Sequence, residues 1–269
     1  MQHKTKKIDS GRKCRTKYPI VFSYAFGGSM KYSFGRILKV LKEEGAEAYM
    51  ANKHAFQSHM HRAKELKREI LDILAVSEKP KVNIICHCQG GLDSRYMIAN
   101  LGMSDKVASW TGITSGHQGL LTFDFLNKFM PNKYMKNIEK SSEDINPDCT
   151  GASICIGKEF MRNIFNKNTP NQPPVYYQTW TAQLKGFSLR QLEHYPTYLL
   201  TKILEGDNDG YVSLETSKWG NFRGIANKNT KNVSHYDMVD HQEDFVKIKG
   251  FDILNFYINL ASELKKMGF

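Results

Sequence analysis

The sequence predicts an α/β fold with a mostly parallel central sheet flanked by helices. Short apolar runs alternate with segments whose apolar residues recur at helical spacing, which is the pattern of successive β-α-β units. The chain has 269 residues, of which 41% are hydrophobic, so it can bury a full core. Chains of this length often form one body around one sheet. We therefore predict a single domain over residues 1–269.

The first β-α-β unit is predicted within residues 18–50. Residues 18–24 are short, apolar and followed by Gly27-Gly28, which indicates a buried strand that ends in a tight loop. A helix is expected from about residue 33 to 44, and a second strand from 46 to 50.

The alternation continues to residue 114. An amphipathic helix is indicated by apolar residues at helical spacing among charged ones: Ala63, Leu66, Ile70, Ile73 and Leu74. After Pro80, residues 81–85 are a predicted strand, residues 89–101 a helix and residues 106–114 the next strand. This succession favours a parallel sheet.

The pattern loosens between residues 119 and 173, where short helical pieces rich in Asn, Lys and Pro follow one another. We interpret this segment as a helical cap, or lid, inserted over the sheet. Residues 175–180 and 199–204 are predicted to be late strands. A closing amphipathic helix is indicated by residues at helical spacing: Ile253, Leu254, Tyr257, Leu260, Ala261 and Leu264.

The chain is strongly basic, with a net charge of +11 and a pI near 9.3. Such a charge suits anionic partners, but the basic residues are spread over predicted helix faces and both termini, and no RNA-binding or helix-turn-helix signature occurs. We therefore predict no nucleic-acid partner and keep peripheral contact with lipid interfaces as an open alternative.

The number of cysteines and the hydropathy of the chain indicate the cellular compartment in which the protein is expected. The cysteines are odd in number, which is not the pattern of a disulfide framework: Cys14, Cys86, Cys88, Cys149 and Cys155. No stretch of about 18 apolar residues occurs, and the basic N-terminus lacks the apolar segment of a signal peptide. We expect a cytoplasmic protein without a transmembrane segment, or a secreted one if a signal peptide has been removed.

The strongest candidate for chemistry is the segment of residues 84–91, Ile-Ile-Cys-His-Cys-Gln-Gly-Gly. A strand that turns sharply into a helix, with glycines beyond the turn, is typical of a nucleophile elbow, which exposes one strained residue at the top of the sheet. The exposed residue would be Cys88. The amide of Gln89 would open the helix, where it can bind an oxyanion.

Further blocks of sequence carry a family resemblance that spans nearly the whole chain. They are Tyr18-Pro19-Ile20-Val21, Val82-Asn83-Ile84-Ile85, Gln89-Gly90-Gly91-Leu92-Asp93-Ser94-Arg95-Tyr96, Val107-Ala108-Ser109, Thr114-Ser115-Gly116-His117-Gln118-Gly119, Asn208-Asp209-Gly210-Tyr211-Val212, Lys218-Trp219-Gly220 and His235-Tyr236-Asp237. Together they resemble the corresponding blocks of bacterial triacylglycerol lipases. The resemblance implies an α/β-hydrolase fold and a carboxylic ester hydrolase acting on lipid or short acyl esters.

Carried over position by position, the resemblance implies Cys88 as nucleophile, Asp209 as the acid that orients the base, and His235 as the base. Their order along the chain is that of α/β-hydrolases. The family carries serine where this chain has Cys88. A thiol is the stronger nucleophile, yet sulfur is larger, and a displacement of about 1 Å can cost roughly 100-fold in rate.

The oxyanion hole is expected to use the backbone amides of Phe26 and Gln89. Side chains expected in the substrate pocket are Tyr24, His87 and His117. Two loops depart from the family pattern, because Tyr24-Ala25 stands for its His-Gly and Gly116 for the proline of its Thr-Pro-His. These changes surround one pocket, which indicates altered or impaired chemistry on an intact fold.

No metal is predicted to be required. Cys86-His87-Cys88 has soft ligands, but a second cluster with metal-ligand spacing is missing from the sequence. Asp237 matches a residue that ligates structural calcium in some relatives, whereas a calcium site needs several oxygen ligands that the sequence does not place.

Two functions of different class are consistent with the sequence. The first is a lipase- or esterase-like hydrolase with a Cys-His-Asp triad and an acyl-enzyme. The alternative is a catalytically impaired lipase-fold protein that binds acyl ligands or a partner. A third reading, a cysteine introduced into an active serine enzyme, leaves Tyr24 and Gly116 unexplained.

Overall fold

The computed structural model describes residues 12–25, 33–54, 57–129, 156–186, 192, 194–228, 230, 232–241 and 249–269. These residues form a six-stranded parallel sheet. The strands are β1 (Ile20–Ser23), β2 (Ala48–Met50), β3 (Val82–His87), β4 (Val107–Ile113), β5 (Tyr176–Thr181) and β6 (Asn221–Ile225). Their order across the sheet is β2-β1-β3-β4-β5-β6. The predicted α/β architecture is confirmed.

The central strands are apolar on both faces because helices cover both sides of the sheet. Every residue of β1, β3 and β4 is buried. Successive side chains alternate between faces, so Phe22 of β1 joins one core cluster while its neighbour Val21 joins the other. Strands buried on both faces require apolar residues at successive positions, which explains the unbroken apolar runs in the sequence.

Helices connect the strands. They are α1 (Gly35–Glu43), α2 (His59–Ser77), α3 (Gln89–Asn100), α4 (Leu121–Phe129), α6 (Tyr195–Glu205) and α7 (Ile253–Lys266); between α4 and α6 lies a helical run, α5, in which Lys158–Phe160 and Asn166–Asn168 flank a π-helical turn, Met161–Phe165. Short 3₁₀ turns occur at Ser104–Lys106 and Asp237–Val239. In the described ranges, no helix is long and apolar enough to cross a membrane.

Two helix pairs cover the sheet. Apolar residues of α1 and α7, such as Leu41 and Tyr257, fill the core on one face. Leu66 of α2 and Met97 of α3 belong to the core on the other face. Helix α3, which follows the predicted elbow, is therefore held between α2 and the sheet.

The segment predicted to form a cap, residues 119–173, is described in part. Its described parts include α4 and α5, and the side chains of Met161 and Phe165 in α5 pack against Leu92 of α3. Residues 130–155 lie outside the described residues. Helical pieces thus lie against the elbow helix, and their role as a cap stays a prediction.

One predicted strand is wrong: residues 199–204 lie in α6. Pro196 occupies the first turn of this helix, where its missing N–H has no partner to lose. Tyr198 and Thr201, three residues apart, are the buried positions, which is helical spacing. A short apolar run does not distinguish the two structures by itself. The sequence analysis also missed the edge strand β6, whose residues are exposed or half-buried.

Candidate active site

The turn between β3 and α3 has the geometry of a nucleophile elbow. Cys88 adopts φ 52° and ψ −126°, a conformation that non-glycine residues rarely occupy. Its backbone N–H donates to the carbonyl of Ile113 in β4 (3.2 Å), and the residue is partly exposed. The strained turn lifts the thiol out of the sheet at the end of β3.

Glycine at position 90 is what lets the elbow helix approach β1 so closely. A Cβ on Gly90 would lie 2.3 Å from the carbonyl oxygen of Ser23 and 2.9 Å from that of Tyr24. Both neighbours are backbone atoms, which have little freedom to move aside. The close approach brings the first turn of α3 beside the loop that follows β1.

Asp209 is fully buried and its carboxylate is held on both oxygens. Oδ1 accepts the backbone N–H groups of Tyr211 (3.0 Å) and Val212 (2.8 Å). Oδ2 contacts Nδ1 of His235 at 2.8 Å. The backbone N–H of His235 also donates to the carbonyl of Asp209 (2.9 Å). These bonds orient the imidazole through two independent contacts.

The environment of His235 favours its protonated form. Burial lowers the pKa of the ring, but the charge of Asp209 and the contact with Cys88 raise it, and the balance leaves the pKa well above its usual value. Cys88 lies close enough to this ring to contribute to the rise in its pKa. The partly exposed Cys88 and the buried Asp209 therefore both act on the ring of His235.

A buried network holds the start of the loop after β1. Arg62 of α2 donates from Nη2 to the carbonyls of Tyr24 (2.6 Å) and Ala25 (3.1 Å), and Lys53 Nζ donates to the Tyr24 carbonyl (3.1 Å). The Tyr24 hydroxyl donates to the Lys53 carbonyl and accepts the Lys53 N–H (3.0 Å). Phe26, the expected oxyanion donor, lies outside the described residues.

Asp93 of α3 binds both cations of this network. Its Oδ2 accepts from Arg62 Nε at 2.8 Å and from Lys53 Nζ, and all three side chains are fully buried. Burial and the charge of Arg62 lower the pKa of Lys53 to about 8, against the opposing effect of Asp93. We call Lys53, Arg62 and Asp93 the buried ion triad. It ties the elbow helix to the loop expected to carry the oxyanion hole.

Known proteins similar to this chain include proteins named triacylglycerol lipase. No protein-family model matches the chain. Triacylglycerol lipase 2 of Saccharomyces cerevisiae is 28% identical over 251 residues, which cover 87% of this chain and 73% of that relative. A triacylglycerol lipase of Pseudarthrobacter phenanthrenivorans is 35% identical over 120 residues, covering 41% of this chain and 37% of the relative. The chain is similar to triacylglycerol lipases of yeast and bacteria.

Similarity to a solved structure identifies the fold. The mature form of lipase BlEst2 from Bacillus licheniformis matches with a TM-score of 0.64 at 17% identity, over 86% of this chain and 89% of that one. The architecture is therefore the α/β-hydrolase fold. The names of the relatives support a lipase- or esterase-like hydrolase. The bacterial match spans little more than a third of that relative, 37%.

His87 supports the ring of His235 from behind. Its Nε2–H donates to the carbonyl of His235 (3.0 Å), and the two ring centroids lie 4.3 Å apart. Burial, followed by the charge of His235, lowers the pKa of His87 well below its usual value. The ring is 1% exposed, so the structure places it beneath His235; its contact with substrate stays a prediction.

His117 lies deeper still. Its ring is fully buried between Trp110 (5.2 Å between centroids) and Trp219 (6.0 Å). Burial, with the charge of Arg95, lowers its pKa well below the usual value. Within the described part of the chain, neither ring nitrogen has a hydrogen-bond partner. The geometry makes His117 a packing residue under the elbow, and its expected place in the substrate pocket remains untested.

Asp237, the residue considered for calcium, is engaged by its own loop. Its Oδ2 accepts the backbone N–H (2.7 Å) and the hydroxyl (2.8 Å) of Ser234. This local cap stabilises the turn that precedes the 3₁₀ segment and carries His235. The carboxylate therefore has a structural role that needs no cation. Calcium binding at Asp237 stays an untested expectation.

Sequence reasoning missed two groups near the site. Aromatic rings surround His235, with Tyr211 at 5.5 Å and Tyr236 at 5.7 Å between centroids, and His194 stacks on Tyr236 at 4.8 Å. The ion triad was also missed. Asp93 lies in a block that resembles the lipases, which was the available signal, whereas Lys53 sits outside all such blocks.

Proposed function

We propose that the protein hydrolyses carboxylic esters of the acyl-lipid type through a thiol triad of Cys88, His235 and Asp209. The observation that carries this proposal is that Cys88, on its strained turn, lies beside the ring of His235, whose Nδ1 is hydrogen-bonded to the buried Asp209. A nucleophile, a base and a group that orients the base are what acyl transfer requires.

The reaction begins when the sulfur of Cys88 attacks the acyl carbonyl carbon and the electron pair of the C=O bond moves to oxygen. The amide of Gln89 opens α3, where N–H groups lack intrahelical acceptors, and it binds this oxyanion together with the amide that the resemblance assigns to Phe26. The tetrahedral intermediate then expels the alcohol, which takes a proton from His235. A thioester on Cys88 remains.

Water completes the cycle. His235 accepts a proton from the attacking water, the new tetrahedral intermediate collapses, and the C–S bond breaks to release the carboxylic acid and the Cys88 thiolate. Asp209 holds the ring in the tautomer that presents Nε2 to the reaction, since its own carboxylate occupies Nδ1.

The electrostatics of the site suit sulfur better than oxygen. A protonated imidazole next to a thiol stabilises the thiolate, which is the nucleophilic form. A serine enzyme instead needs a neutral histidine to remove the hydroxyl proton. Because the balance of charges keeps the pKa of His235 well above its usual value, the protonated ring that a thiolate needs is the favoured state.

A lipid-type substrate is supported by exposed apolar side chains on the helices beside the site. Leu199 and Ile203 lie one turn apart on α6 with 42% and 80% of their surface exposed, and Phe125 of α4, a helix that packs on α6, is 40% exposed. Acyl chains or a lipid interface would cover such surface favourably. We therefore include peripheral contact with a lipid interface in the proposal.

Hydrolysis of a series of p-nitrophenyl acyl esters tests the proposed activity. The wild type is expected to turn over and to carry an acyl adduct on Cys88 by intact mass. Cys88→Ala should fall to the buffer background, because no other side chain occupies the elbow. Cys14→Ala is the matched control, since Cys14 is buried away from the elbow among residues of α1 and α7. Equal rates for the wild type and Cys88→Ala would contradict the proposal and favour a binding function.

The pH profile provides a second prediction. Activity requires the protonated His235 to donate to the leaving alcohol, so it persists below the raised pKa of this ring and is lost as the pH rises through it. The alkaline limb of kcat/KM should therefore lie well above pH 6.5, the ordinary pKa of a histidine ring. Rates corrected for buffer hydrolysis check this. A decline that begins near that usual value would count against the thiolate–imidazolium pair.

A further inference from the structure

A second cluster of ligating side chains lies outside the proposed catalytic residues. It consists of His54, in the segment after β2, and His61 and Glu65 on α2. One ring nitrogen of His54, one ring nitrogen of His61 and a carboxylate oxygen of Glu65 all lie within 4.8 Å of one another. We call these residues the His54 cluster.

The spacing of the two helical members is that of a metal site. His61 and Glu65 are four residues apart on α2, so their side chains project from the same face. Nε2 of His61 and Oε1 of Glu65 are separated by 3.5 Å. A tetrahedral site with bonds of about 2.0 Å places neighbouring ligand atoms about 3.3 Å apart. The helix alone therefore sets two of the ligands at nearly the required separation.

The third member is directed toward the helix by its own backbone. The N–H of His54 donates to Oε2 of Glu65 (2.8 Å), and Nδ1 of His54 contacts Oε1 of the same carboxylate. The carbonyl of His54 accepts from Nη1 of Arg62 (2.7 Å). These bonds position the segment, and an ion bound between His54 and Glu65 would replace the direct contact of Nδ1 with Oε1.

The three side chains of the cluster differ in exposure, as expected of a metal site that keeps one coordination position open to solvent. The side chain of Glu65 is 10% exposed, that of His61 29% and that of His54 70%. A cation can therefore enter from solvent past His54, and water can complete its coordination. Two imidazoles and one carboxylate suit borderline ions such as zinc better than calcium or magnesium, which prefer oxygen ligands only.

We propose that His54, His61 and Glu65 form a surface site for one zinc-class divalent cation, with a fourth position filled by water. The bound ion joins the segment after β2 to helix α2. Because the carbonyl of His54 is held by Arg62, the ion also tightens the surroundings of the buried ion triad. This site does not depend on the proposed hydrolase activity.

The test is titration with Co²⁺ and then Zn²⁺ of the full chain carrying Cys88→Ala, which removes the partly exposed Cys88 thiol as a competing ligand. One equivalent of Co²⁺ should produce visible ligand-field bands without a sulfur charge-transfer band, and Zn²⁺ should displace it. His54→Ala and His61→Ala should each weaken binding at least roughly 10-fold, because loss even of an outer-shell partner costs that much at metal sites. His241→Ala, another exposed histidine, should bind like the parent.

Three results would contradict the proposed metal site. Affinity unchanged in His54→Ala and His61→Ala, a sulfur charge-transfer band that points to cysteine ligands, or no binding by the parent would each exclude it. Thermal unfolding provides an independent reading, since an ion that binds only the folded chain raises Tm. That rise in Tm should occur in the parent and in His241→Ala and be lost in His54→Ala. Because the His54 side chain is 70% exposed, its removal should not unfold the chain, so the loss would report the missing ion.

Discussion

Asp209→Asn is expected to lower kcat for ester hydrolysis by about 10,000-fold, the size of the same change in a serine triad. The carboxylate accepts from Nδ1 of His235 at 2.8 Å. An asparagine can present its NH₂ group to that nitrogen and so stabilise the wrong tautomer. It also removes the charge that raises the pKa of His235. The alkaline limb of the pH profile should therefore move to lower pH.

Asp207→Asn is the matched control for this substitution. Asp207 lies two residues earlier in the same loop, and it pairs with Lys202 at the surface, where both side chains are 45% exposed. Its replacement should leave kcat and the alkaline limb close to those of the wild type. If Asp209→Asn reduced kcat less than about 10-fold, the role of Asp209 as the group that orients His235 would be wrong.

Asp93→Asn is expected to lower the free energy of unfolding by about 3–5 kcal/mol, because it leaves two buried cations without their counter-ion. Lys53, Arg62 and Asp93 have no exposed side-chain surface. An amide at position 93 is neutral, and desolvated charge without a partner is costly. Urea or thermal unfolding of the purified variant, monitored by circular dichroism, measures the loss.

The surface pair provides the comparison for stability as well. Asp207→Asn should cost no more than about 1 kcal/mol, since exposed ion pairs contribute little. Equal losses in the two variants would mean that the buried ion triad adds nothing beyond an ordinary ion pair. A stable Asp93→Asn variant with reduced kcat, by contrast, would still be consistent with a positioning effect on the loop at Tyr24 and Ala25, but it would contradict the stability prediction.

The order of elements was largely readable from the sequence because the sheet is buried on both faces. The apolar runs at β1, β3 and β4 and the amphipathic stripe of α2 predicted elements that the structure contains. The strand predicted over residues 199–204 was wrong for a physical reason. Leu199 and Ile203 of α6 face solvent, while Tyr198 and Thr201 are buried, so apolarity there does not report burial.

The catalytic candidates could be proposed from sequence because each lies in a short block with its own turn chemistry. The strand-to-helix turn singles out Cys88, and the loops containing Asp209 and His235 resemble those of the lipases. Residue order alone, however, does not bring them together. The 2.8 Å contact between Asp209 and His235 joins residues that are 26 positions apart, and His87 reaches the carbonyl of His235 across 148 positions.

By itself, the sequence determined the α/β layering and the sharp turn at Cys88, and by resemblance it predicted Asp209 and His235 as partners of the thiol, since these inferences depend on local periodicity and on short motifs. Only the tertiary structure decided what surrounds them. Asp93 meets Arg62 and Lys53, which precede it by 31 and 40 positions, and charged residues at such separations carry no periodic signal. Their pairing depends on the packing of α2 against α3, which exists only once the sheet has assembled.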